Sequence, residues 1–68
     1  MKSFTVIVDG DRVRTTSLLL LERLCWAPSS GLELIYRGRR VHLDVLQDMD
    51  SPDRTFENVR AWMRELED

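Results

Sequence analysis

Cysteine occurs once in these 68 residues, at Cys25, so no disulfide can staple the chain to itself. A lone thiol fits a reducing compartment better than a secreted scaffold, whose cysteines come in even sets. Long apolar runs are missing too. Leu18 to Leu21 falls far short of the roughly 20 residues a membrane helix needs. No charged start with a small-residue cleavage site marks a signal peptide. A soluble, cytoplasmic protein is therefore expected. Histidine also occurs once, at His42, and one Cys with one His cannot supply the three or four ligands zinc requires. The chain has no G-x-x-x-x-G-K-[ST] loop to cradle phosphates. The carboxylates Asp44, Asp48, Asp50 and Asp53 lack the turn glycine and terminal glutamate of an EF-hand loop, and read as a solvated connector. No metal, no cofactor and no enzymatic activity are expected.

What is present is one domain near the lower size limit for a self-sufficient core. Domains this small lean on disulfides, metals or oligomerisation. With the first two set aside, oligomerisation is the expected supplement. The formal net charge of −2 conceals an asymmetry. Residues 1–43 carry seven basic and four acidic side chains, a net +3, and residues 44–68 carry three basic and eight acidic, a net −5. Lys2 is the only lysine beside nine arginines. GC-rich codons favour arginine, which points to a GC-rich bacterial or phage source.

Phe4 to Val8 is β-branched and aromatic, and Asp9-Gly10 is a strong two-residue hairpin signal. The turn sets Val8 against Asp11, Val6 against Val13 and Phe4 against Thr15. Phe4, Val6 and Val13 then share a buried underside. Ser17 offers an N-cap to the leucine-rich segment 18–26, and Pro28 sets its limit near Ala27. Leu18, Leu21, Leu24 and Cys25 form its inner face, while Leu19, Leu20 and Trp26 point elsewhere. A helix apolar nearly all round is buried on more than one side. Ser29-Ser30-Gly31 reads as a short turn. Leu32 to Tyr36 and Val41 to Val45 alternate around Arg37-Gly38-Arg39-Arg40, a second hairpin in which Val41, Leu43 and Val45 share a face. Ser51-Pro52 then starts a closing helix whose apolar arc is Phe56, Val59, Trp62, Met63 and Leu66. The expected architecture is α+β, ββαββα: hairpin 2–16, helix 17–27, hairpin 32–46 and helix 51–67. It forms a four-stranded antiparallel sheet with two helices packed on one face.

Offset by 28, residues 4–14 lie over 32–42 with four identities, Ile7/Ile35, Gly10/Gly38, Arg12/Arg40 and Val13/Val41. Duplication and the shared demands of a hairpin both explain this. Asp50, Ser51, Thr55 to Val59, Trp62 and Arg64 to Leu66 resemble the stretch of Ras-superfamily small GTPases, Rab proteins especially, where a strand-end Asp precedes a helix. In that family this helix is not the nucleotide site, so the resemblance implies no catalytic residue. Leu34 to Arg39 is similar to the third-strand region of ubiquitin-like proteins, and hairpin then helix is the ubiquitin order. A β-grasp fold needs a further strand where this chain has a helix, and no terminal Gly-Gly is present.

Arg37, Arg39 and Arg40, with Tyr36 alongside, form a basic turn opposed by the acidic turn Asp9-Gly10-Asp11. Arginine forks suit phosphate and carboxylate equally. A sequence pI of about 5.3 and the acidic C-terminal third disfavour general nucleic-acid affinity. The expected partner is thus a protein with an acidic surface, contacted by Arg37, Arg39, Arg40 and Tyr36. Leu19, Leu20 and Trp26 are the expected homodimer interface, because tryptophan at the edge of an apolar stripe is a common anchor. Cys25 reads as a core residue, not a nucleophile paired with His42. The function expected is that of a small non-enzymatic regulatory or inhibitory protein that binds another protein, of phage or mobile-element style. A nucleic-acid-binding regulator using the Arg37–Arg40 turn is the alternative.

Overall fold

The computed structural model describes residues 2–26 and 31–67. Strands β1 (Phe4–Val8) and β2 (Asp11–Thr15) form the first hairpin, followed by helix α1 (Leu18–Trp26). Strands β3 (Glu33–Tyr36) and β4 (Arg39–His42) form the second, followed by one helical turn, α2 (Leu43–Leu46), and the closing helix α3 (Pro52–Glu67). The four strands make one antiparallel sheet in the order β2-β1-β3-β4. The α+β reading therefore holds. The expected helix end at Ala27 and turn over Ser29 and Ser30 lie outside the described residues.

The 28-residue offset reappears as geometry. Val8 faces Asp11 and Tyr36 faces Arg39; Val6 faces Val13 and Leu34 faces Val41. At the seam between the hairpins Val6 faces Leu34, and these two positions are themselves 28 apart. The sheet thus has an approximate two-fold axis through the Val6–Leu34 pair. Because β1 and β3 run antiparallel, the acidic and basic turns sit at opposite ends of the sheet. Within one chain they do not meet.

Directly opposed residues of an antiparallel pair share a face. Phe4, Val6, Leu34 and Tyr36 project to the helix side and join Leu21, Cys25, Leu43, Val59 and Met63 in one core. Ser17 caps α1, its hydroxyl accepting from Leu20 N–H at 3.1 Å, and Ser51 caps α3 by accepting from Arg54 N–H at 3.3 Å. Along α3 the deepest line is Thr55, Val59 and Met63, with Phe56, Trp62 and Leu66 flanking it half-buried. Thr55 was not expected in the core. It is fully buried because its hydroxyl accepts from Asp48 N–H at 2.8 Å and so fastens the connector to the helix.

Two expectations need correction. The last strand does not run to Val45. In this register Asp44 would face Gly31, but Gly31 is left-handed (φ 79°) and β3 begins only at Glu33. The ladder has no partner left, Leu43 N–H closes it on Leu32 C=O at 2.9 Å, and the chain coils into α2. Leu43 is buried as a result, while Val45 turns outward, 73% exposed. Val13 is also only partly covered, at 45% exposure, although its neighbour Val6 is 2% exposed. The helices shield the two central strands and leave the outer half of β2 open.

Candidate protein-binding surfaces

Both hairpins close through the same backbone geometry. Asp9 (φ 50°) with Gly10 (φ 83°) and Arg37 (φ 50°) with Gly38 (φ 79°) are left-handed pairs, as type I′ turns require. Asp is at home in the first position, since its short side chain tolerates this conformation. Arginine is not, and its Cβ meets the steric penalty without such relief. Arg37 occupies a place where the chain's own equivalent residue is an aspartate.

The arginines grouped by the sequence reading do not act as one cluster. Arg37, Arg39 and Arg40 are all exposed. Arg39 lies opposite Tyr36 on the helix side, whereas Arg40 lies opposite Ile35 on the other face. Tyr36, expected beside them at the surface, is in the core at 2% exposure. Strand alternation carries it inward with Leu34. Its hydroxyl donates to Glu67 Oε1 at 2.6 Å, and this bond raises the phenol's pKa and lowers that of the carboxyl.

The helix-free face of the sheet shows what the sequence reading missed. Across it run two rows, Arg12–Ile7–Glu33–His42 and Arg14–Thr5–Ile35–Arg40. The approximate two-fold exchanges them, matching Arg12 with Arg40 and Ile7 with Ile35. Glu33 lies 3.5 Å from Arg40 Nε and 3.6 Å from His42 Nε2. Arg14 donates from Nε and Nη2 to Ser3 Oγ at 3.2 and 3.1 Å. Among the described residues no carboxylate lies within 4.0 Å of Arg12, Arg14 or Arg39. At the arginine-turn end, Lys2, Ser3, Thr5, Arg14, Ile35 and Arg37 surround a shallow depression of about 570 Å³. Arg12 and Arg14 could have been suspected from the alternation in Asp11-Arg-Val-Arg-Thr15.

On α1, Leu21 and Cys25 are buried and Leu18 and Leu24 half-buried, as the wheel implied. Leu19 is 60% and Trp26 55% exposed, and Leu20 is half-buried. Seven residues apart, Leu19 and Trp26 lie on one stripe with Glu22 and Arg23 flanking it. Val45 in α2 and Met49 in the connector after it are also exposed.

Cys25 and His42 are not brought together: Cys25 is in the core and His42 is exposed on the helix-free face. Burial, and secondarily the Glu22 charge, push the Cys25 thiol up to about 11, so it is not a thiolate at neutral pH. In the acidic connector, Asp48 Oδ1 accepts from Asp50 N–H at 2.9 Å, and Asp48 Oδ2 lies 3.8 Å from Arg54 Nε. Among the described residues no helix is long and apolar enough to cross a membrane. Comparison with protein-family models, curated proteins and solved structures finds no match to this chain.

Proposed function

We propose that this chain is a small non-enzymatic regulatory or inhibitory protein that acts by binding the acidic surface of another protein. Arg37 and Arg39 at the turn, and the basic helix-free face of the sheet that carries Arg40, form the contact. Arg37 at φ 50° is the observation that carries this reading. A type I′ turn prefers Asn, Asp or Gly there, and a bulky residue costs about 1–2 kcal/mol. Backbone strain of this kind is a pointer to function. An arginine kept there at such a cost fits a side chain that must project from the tip of the sheet.

Two features favour a protein over a nucleic acid. The centre of the helix-free face is the buried Ile7 with half-buried Ile35 and Thr5. Apart from the His42 imidazole at its β4 edge, no Phe, Tyr or Trp ring lies there among the described residues for a base to stack on. The C-terminal third is strongly acidic and would repel a phosphate backbone. Self-association as a homodimer is proposed through Leu19, Leu20 and Trp26, supported by the exposure of Leu19 and Trp26 on one stripe.

Affinity capture from lysate of the source cell, with wild type and with Arg37→Glu/Arg39→Glu, tests the reading. Wild type should retain a protein in a nuclease-resistant manner, and the double variant should lose it with its melting temperature nearly unchanged. Unchanged capture by the variant would remove the turn from the contact. Capture abolished by nuclease would favour the nucleic-acid alternative.

A further inference from the structure

Strand β2 is the outermost strand on one side and is paired on one side only. A two-residue I′ turn makes Val8 and Asp11 the first hydrogen-bonded pair, and such pairs alternate along an antiparallel ladder. Val6–Val13 is then hydrogen-bonded across the hairpin, while Ile7–Arg12 and Thr5–Arg14 are not. The N–H and C=O groups of Arg12 and Arg14 therefore point outward from the sheet, and those of Val13 point inward to β1.

This edge is open in three respects. Asp11 to Arg14 are all exposed. Val13, on the helix side, is only partly covered. Arg12 and Arg14, on the other side, have no carboxylate within ion-pair distance among the described residues. The opposite edge differs. There Glu33 bridges Arg40 and His42, and the chain folds directly into α2.

We propose that the β2 edge receives an extended segment of the acidic partner as a fifth, antiparallel strand. Acidic side chains of that segment face Arg12 and Arg14, and an apolar side chain between them lies beside Val13. The partner motif is thus acid–apolar–acid. Backbone bonds to the outward groups of Arg12 and Arg14 supply affinity, and the alternating side chains supply selectivity. The proposal rests on the acidic-partner reading and specifies its mode.

A second copy of this chain is a poor occupant of the edge. Two-fold antiparallel pairing of β2 with itself, centred on Val13, sets Arg12 against Arg14 of the other copy. Shifting the register by one pair sets Arg12 against its own equivalent, or Arg14 against its own. Like charges directly opposite destabilise a sheet. The same arginines that recruit an acidic strand therefore guard the edge against self-pairing.

The test uses a capped peptide alternating glutamate and valine, and the same peptide N-methylated at every glutamate, which keeps the charge but removes the donors facing β2. The first peptide should slow hydrogen exchange at the Arg12 and Arg14 amides and leave the inward Val13 amide unchanged. N-methylation should weaken binding by about tenfold or more, since two backbone bonds are lost. Arg12→Gln/Arg14→Gln, checked for an unchanged circular dichroism spectrum, should weaken it comparably. Equal binding of both peptides would overturn strand addition while leaving the acidic-partner reading in place. Absence of binding by either would overturn strand addition as well, and the Arg37→Glu/Arg39→Glu capture would still decide the broader reading.

Discussion

The Tyr36 hydroxyl donates to Glu67 Oε1 across 2.6 Å, tying the end of β3 to the last turn of α3. The bond lowers the Glu67 pKa, helped by Lys2 at 3.5 Å, and raises that of Tyr36. A carboxylate whose pKa falls on folding stabilises above its unfolded pKa and loses that contribution as pH drops through the folded one. A phenol whose pKa rises stabilises below its unfolded pKa and loses the contribution as pH climbs through the folded one. Tyr36→Phe should therefore be less stable than wild type at neutral pH, with the difference shrinking toward both acid and alkali. Denaturant unfolding across the pH range reads this out; a difference independent of pH would count against the bond.

Thr55 holds the connector to α3 from a fully buried position. Its hydroxyl accepts from Asp48 N–H at 2.8 Å and faces the Asp48 and Ser51 carbonyl oxygens at 3.3 and 3.4 Å. Valine matches its shape but leaves the Asp48 donor without a partner. Thr55→Val should cost about 1–3 kcal/mol in chemical denaturation. A neutral result would mean that water replaces the hydroxyl.

Arg37→Asn should relieve the left-handed strain at the second turn and raise stability by about 1 kcal/mol. The same change should weaken capture of the acidic partner. A stability gain with unaltered capture would separate the strain from function.

The Cys25 thiol, raised to about 11 by burial, leaves on the order of one molecule in ten thousand as thiolate at neutral pH. Labelling of the folded protein by a thiol reagent should be slow and should accelerate on denaturation. Rapid labelling of the native state would contradict the buried placement.

Leu19→Glu and Trp26→Glu should shift sedimentation toward the 8.0 kDa monomer without lowering monomer stability, because both side chains are exposed. Leu21→Ala, in the core of the same helix, should instead cost about 2–5 kcal/mol. A wild type that is already monomeric at high micromolar concentration would remove the dimer.

Local chemistry was legible in the residues themselves. Asp9-Gly10 and Arg37-Gly38 each define a two-residue turn, and the turn sets the register within its hairpin. Ser17 and Ser51 announce helix starts by the one orphan donor each can satisfy. The arginines of the second turn stood out for the same reason: they are neighbours in sequence. Relations between distant segments were decided only in three dimensions. The seam of β1 against β3 places Arg12 and Arg14 in line with Arg40 and His42 across four strands, and nothing near residue 12 encodes that alignment. The end of β4 depends on whether β3 still offers a partner, so Leu43 is read as strand locally and becomes helix globally. Val13 and Val6 carry the same alternation signal, yet two helices cover the sheet's centre and stop short of its edge. Periodicity assigns a side chain to a face; whether that face is covered depends on where the rest of the chain packs.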